Sequence, residues 1–95
     1  MKLVFNGEMW FWKGPAPWHF ITVPEDECGA LAATSAVVTY GWGMIPVSAH
    51  IGGSTWKTSL FPKGGRYIVP VKASVRRAEG LEDGDMVTVR LAVDV

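Results

Sequence analysis

Apolar and polar residues alternate with a period of two along most of the chain, the pattern of strands with one buried face. Near the C-terminus Val87, Val89, Leu91 and Val93 alternate with Thr88, Arg90, Ala92 and Asp94. Ile45, Val47, Ala49 and Ile51 alternate with Met44, Pro46, Ser48 and His50. Pro46 offers no ladder donor, which predicts that this strand begins at an edge or a bulge. Gly52-Gly53 supplies the positive φ of a tight hairpin turn. The returning strand, Ser54 to Phe61, sets Trp56, Thr58 and Leu60 opposite Lys57 and Ser59. Pro62-Lys63-Gly64-Gly65 makes a second turn, and Arg66 to Val71 follows with Tyr67, Val69 and Val71 on one face. These three segments form a meander.

The N-terminal part predicts a strand from Lys2 to about Lys13, with Leu3, Phe5, Met9 and Phe11 on one face and Asn6, Glu8, Trp10 and Trp12 on the other. Gly14-Pro15-Ala16-Pro17 breaks it, and Trp18 to Val23 returns. Large aromatics on both faces suit a sheet that curls into a barrel or covers a cleft. Two short helices interrupt the strands. Pro24-Glu25-Asp26-Glu27 opens the first, with proline at a helical φ and acids against the positive end of the dipole. It runs through Leu31 and ends before Tyr40-Gly41, weakened by Gly29, Thr34, Val37, Val38 and Thr39. The second spans Ala73 to Glu79 and stops at Gly80, a residue suited to a left-handed cap.

About six strands and two short helices in 95 residues predict an α+β, mainly β fold: a small closed or nearly closed barrel, a single domain over residues 1–95. Closure removes the open edges that invite aggregation. A hydrophobic content of 48 % with 19 % charge excludes a disordered chain. No apolar run approaches the roughly 20 residues that span a bilayer, so no membrane partner is expected. Nine Lys+Arg balance nine Asp+Glu, which argues against a bulk nucleic-acid coat protein. Cys28 is the single cysteine, so no internal disulfide forms; with no signal peptide evident at MKLVFNGEMW, a cytoplasmic location is expected.

Several stretches carry a family resemblance: Trp18-His19-Phe20 leading to Val23-Pro24-Glu25, and Ile51-Gly52-Gly53 leading to Trp56-Lys57-Thr58-Ser59-Leu60-Phe61-Pro62. Gly65-Arg66-Tyr67, Pro70-Val71-Lys72, Val75-Arg76-Arg77-Ala78-Glu79-Gly80 and Gly84-Asp85 continue it in order. In these the chain resembles the bacterial small-barrel family known as domain of unknown function 1905. The resemblance implies a closed or nearly closed β-barrel and an activity not established for the family. A second likeness covers Pro70 to Val89, where a strand ending in proline, a short basic helix, Gly80, Gly84-Asp85 and a closing strand look like the half-barrel of swapped-hairpin transcription regulators. That likeness implies a homodimer contacting DNA or RNA, with Arg76 and Arg77 against phosphates.

Charge distribution changes the picture more than net charge does. Between Glu27 and Glu79 there is no carboxylate side chain, yet Lys57, Lys63, Arg66, Lys72, Arg76 and Arg77 all fall there. Gathered on one surface, they make a local positive field and an anion site, with arginines as bidentate donors; scattered, they are a solvated face. Lys63-Gly64-Gly65-Arg66 can aim backbone N–H groups at an anion, but lacks the Lys-Ser/Thr ending of a phosphate loop. The five tryptophans exceed what so small a core accommodates, since each buries up to about 250 Å². Trp18 and Trp56 are expected to fill the core or plug the barrel mouth. Trp12 and Trp42 are the candidates for stacking on a ligand, Trp42 from a flexible Tyr40-Gly41-Trp42-Gly43 loop.

Other chemistry is weaker. His19 and His50 lack metal-ligand spacing, and nothing orients either as a base for Ser59 or Cys28. Cys28 reads as a small buried apolar residue. Glu82-Asp83-Gly84-Asp85 lacks the ligand alternation of a calcium loop, and Asp85 is expected to accept backbone hydrogen bonds in the turn before the last strand. No catalytic residue, metal or cofactor is assigned. The expected function is a non-enzymatic binding module, a monomer or homodimer, that holds a small anionic or aromatic ligand with Trp12, Trp42, Lys57, Lys63, Arg66, Arg76 and Arg77. Nucleic acid is the alternative partner.

Overall fold

The computed structural model describes residues 2–38 and 43–93. Its elements are β1 (Lys2–Trp12), β2 (Trp18–Thr22), α1 (Glu25–Val38), β3 (Ile45–Ile51), β4 (Ser54–Lys63), β5 (Arg66–Val71), α2 (Ala73–Glu79) and β6 (Met86–Val93). The strands close into an antiparallel barrel in the order β1-β2-β5-β4-β3-β6. The predicted fold class is therefore the observed one. A single chain completes the barrel, so no exchanged hairpin is required to close it.

β1 makes closure possible by serving two neighbours in turn. Residues Lys2 to Glu8 pair with β6, and Met9 to Trp12 pair with β2. Gly7 lies just before the switch, where a Cβ would stand 2.5 Å from Ile21 Cγ2 and 2.8 Å from the Thr22 carbonyl oxygen. Only a residue without a side chain lets β2 cross so closely. Pro46 pairs with Ser59 of β4, while the β3–β6 ladder begins only at Val47. Proline thus occupies the stretch of β3 flanked on one side, as its missing donor requires. The β4–β5 ladder extends only from Phe61 to Lys63, around a Gly64-Gly65 turn with both φ positive. Beyond it the Trp56 indole N–H donates to the Pro70 carbonyl at 3.2 Å and ties the two strands together.

Alternation fills the interior. β3 is buried at every second residue, and Phe5, Met9, Ile21, Val47, Trp56, Leu60, Val69, Val89 and Leu91 meet in one core. Each such side chain contributes about 1.5–3 kcal/mol on leaving water. The helices join from opposite ends. α1 departs where β2 ends beside the start of β5 and adds Cys28 and Leu31; α2 departs where β5 ends beside the start of β2 and adds Val75. Cys28 is buried as expected, its thiol 3.6 Å from the Val23 carbonyl oxygen. Gly80 adopts the left-handed conformation (φ 63°) and its N–H returns to the Arg76 carbonyl.

Candidate functional site

The β1–β2 hairpin sets the register Phe11↔His19 and Trp12↔Trp18. Adjacent pairs on a strand point to opposite faces. Phe11 and His19 turn toward the barrel mouth, their ring centroids 4.7 Å apart, while Trp12 and Trp18 turn outward. His19 Nε2 lies 2.9 Å from Asp83 Oδ1, with the imidazole 15 % exposed and the carboxylate 58 %. Asp83 is presented by the turn before β6, which Asp85 fixes by accepting from the Glu82 N–H at 2.8 Å. Asp85 therefore plays the role expected of it.

α2 supplies the opposite wall. Arg76 stands in its last turn, and its Nε is buried with no hydrogen-bond partner. Among the described residues, the only carboxylates in ion pairs are Asp83, held by His19, and Glu25, held by Arg66. The guanidinium of Arg76 thus faces a cleft of about 210 Å³ whose walls include Phe11, Pro17, Trp18, His19 and Val71. A partly buried cation, two aromatic side chains and an imidazole held by a carboxylate thus meet at one cleft. A wider cleft of about 310 Å³ lies among Lys2, Val4, His50 and Arg90, but Lys2 and Arg90 are exposed and solvated.

The seven residues singled out from the sequence do not converge there. Arg76 alone lines this cleft. Trp12 (42 % exposed) and Lys63 meet in a separate groove of about 210 Å³ on the outer face, with Trp10, Phe20, Pro62 and Ile68. Arg66 stands opposite Lys63 across the hairpin, and its Nη2 is 3.3 Å from Glu25 Oε2. Lys57 is exposed on β4 opposite Ser48, and Arg77 is exposed on α2. Trp42 lies outside the described residues. The positive field of the middle of the chain is therefore divided among separate surfaces, because consecutive strands and a helix carry its members around the barrel.

The two tryptophans expected in the core or at the barrel mouth divide between those places. Trp56 is buried at 6 % exposure, as expected, but Trp18 is 45 % exposed and fills no core. It forms a wall of the mouth cleft and also of a second outer groove with Phe61. The sequence alone does not mark Phe11, Trp18, His19 and Asp83 as binding residues. The five-residue break between β1 and β2 carries the signal for the first three, since it fixes which residues face each other across the hairpin. Asp83 has no such signal, because its partner is distant in sequence.

Among the described residues, no group of three or more His, Cys, Asp or Glu is placed to hold a metal ion. Nor is any described helix long and apolar enough to cross a membrane. A closed antiparallel barrel of six strands, its centre packed and a cleft at one mouth, defines a small β-barrel module. The family described as Domain of unknown function (DUF1905) matches residues 5–91, nearly the whole chain, and the protein belongs to that family. No curated protein matches it.

Proposed function

We propose that the protein is a non-enzymatic binding module whose mouth cleft takes a small anionic ligand bearing a flat ring. The anion sits on Arg76 and the ring lies against Phe11 and Trp18. The observation that carries this is Arg76, which lines a cleft with aromatic walls and has a buried Nε without a hydrogen-bond partner. Arg76 is in no ion pair among the described residues, and an incoming carboxylate or phosphate supplies its guanidinium with a counter-charge through charge-assisted hydrogen bonds. The cleft of about 210 Å³ is smaller than a drug-sized pocket, so a single ring is the right scale. His19, fixed by Asp83, adds an oriented polar group to the wall.

The test uses phenyl phosphate and benzoate, with benzyl alcohol as the uncharged control. Binding is read by tryptophan fluorescence, to which Trp18 reports, and by thermal unfolding. A ligand at a hundredfold excess over its Kd stabilises the native state by about 2.7 kcal/mol. Both anions are expected to raise Tm and shift the fluorescence, benzyl alcohol to do neither, and Arg76→Met to abolish the response. Equal responses to all three compounds, survival of the response in Arg76→Met, or no response to either anion at millimolar concentration would overturn the proposal.

A further inference from the structure

The outer face of the barrel carries an apolar layer that the core does not need. Register aligns its members in rows across four neighbouring strands: Trp12 with Trp18, Trp10 with Phe20 and Pro70, Thr22 with Ile68 and Phe61, and Arg66 with Lys63. Phe20 and Ile68 are buried on this outward side at 9 % and 6 % exposure. Trp10 is pinned by donating its indole N–H to Thr22 Oγ1 at 2.9 Å and packs on Phe20 with centroids 5.3 Å apart. Above this base Trp12, Trp18 and Phe61 remain 39–45 % exposed, each presenting a ring to solvent. Their free area comes to about 300 Å², the scale at which an apolar patch on a monomer is usually functional.

Charge decides what such a patch accepts. β2, β4 and β5, three adjacent strands, contain no aspartate or glutamate, while Lys57, Lys63 and Arg66 are exposed on them; β1 brings one acid to this side, the exposed Glu8, at the end of the strand away from Trp12. The nearest acid in an ion pair is Glu25, opposite Arg66. Two grooves, of about 210 and 320 Å³, lie on either side of Phe20, and each has room for a flat ring but not for a duplex. From β1 to β4 the face spans three strand spacings, about 14 Å, enough for a few nucleotides laid across the strands. Every nucleobase has a π-face, so rings of this kind hold unpaired bases without regard to sequence, while cations at the rim hold phosphates.

From this we infer that the outer face of β1, β2, β5 and β4 is a platform for single-stranded nucleic acid, with bases stacked on Trp12, Trp18 and Phe61 and phosphates on Lys63 and Lys57. An apolar protein partner, or a second copy of this chain, would not require three strands free of acid. Duplex DNA offers no open base faces to the rings.

The test is fluorescence anisotropy with labelled oligo(dT) and oligo(rU) of about ten nucleotides, against a duplex of equal length. The two single strands separate DNA from RNA as the favoured form. Binding at about 50 mM salt is expected to weaken by 200 mM, with a log–log slope near −0.7 for each phosphate contacted. Trp12→Ala and Trp18→Ala are each expected to weaken binding about tenfold, and Trp18→Phe much less, since a ring is retained. Lys63→Gln is expected to make the salt slope shallower. These side chains are on the exterior, and circular dichroism confirms that each variant is folded. The inference fails if neither single strand binds at low salt, if the duplex binds equally well, or if folded Trp12→Ala and Trp18→Ala bind as the parent does. It also fails if the chain instead dimerises by light scattering in a way those two substitutions abolish.

Discussion

Arg76→Met separates a guanidinium kept for a ligand from one kept for the fold. Methionine retains an unbranched apolar stem beside Val71 and Phe11, and its helix propensity is close to that of arginine. What disappears is a charged head whose Nε is buried and unpartnered. Leaving one donor buried without an acceptor costs about 1–3 kcal/mol. Against this, Arg76 lies in the last turn of α2, where a cation gains roughly 0.3–1 kcal/mol from the helix dipole. The desolvation effect is the larger. The unliganded variant is expected to be more stable than the parent by about 1 kcal/mol, which raises Tm by about 4–8 °C for a domain of this size.

Thermal unfolding followed by circular dichroism gives the shift, and urea titration shows whether the change is in stability at constant m-value. Arg77→Met is the control, because Arg77 is exposed in the same turn and loses only the dipole gain. Its Tm is expected to fall slightly. A loss of stability in Arg76→Met larger than that in Arg77→Met would refute the reasoning, since it would show Arg76 supporting the fold rather than awaiting an anion. Gain of stability with loss of ligand response is the usual mark of a residue retained for function.

Three further substitutions test how the barrel is held. Gly7→Ala forces a Cβ against Ile21 and the backbone of Thr22 and is expected to cost about 1–3 kcal/mol in urea unfolding; a neutral result would mean that β1 and β2 separate freely. Gly52→Ala meets both a positive φ of 56° and the carboxylate of Glu79, which accepts from Ser54 Oγ at 2.7 Å. Stability is expected to fall by more than 1 kcal/mol, and Gly53→Ala, with open space around it, is expected to fall less. Arg66→Gln removes an ion pair whose side chains are 46 % and 83 % exposed, so urea midpoints are expected to move by less than about 1 kcal/mol.

Much of the barrel is legible because period-two alternation states directly which residues face inward. Ile45 to Ile51 is buried at every second position, and the glycine turns and proline breaks fall where the hairpins do. Trp18 shows where that rule is insufficient. Alternation assigns a face, but whether the outer face is covered depends on what neighbouring strands place beside it. The unbroken run Ile68-Val69-Pro70-Val71 carried the hint, since continuous apolar residues mean both faces are packed. The mouth cleft was less legible. Its residues come from β1, β2, β5 and α2, with Asp83 reaching in from the last turn, and only closure of the barrel brings them together. That Arg76 Nε lacks a partner among the described residues is a property of space, not of sequence, because it depends on where closure of the barrel places the acids.

A barrel this small has no room for a ligand inside, because Met9, Ile21, Leu60 and Leu91 already occupy its centre. The two surfaces proposed for ligands are therefore the mouth and the outer wall, and both depart from what stability alone would select: a buried guanidinium Nε without a partner at one, exposed indoles at the other. Trp18 belongs to each, lining the mouth cleft with Arg76 and the outer groove with Phe61. Any ligand that draws its ring toward one side changes what is offered on the other. Linkage then requires that the effect be mutual: the factor by which phenyl phosphate alters oligonucleotide affinity equals the factor by which the oligonucleotide alters phenyl phosphate affinity. Arg76→Met and Phe61→Ala each disable one surface and leave the other, whereas Trp18→Ala disables both. Two independent sites would instead show no mutual effect, and Trp18 would then serve only one of them.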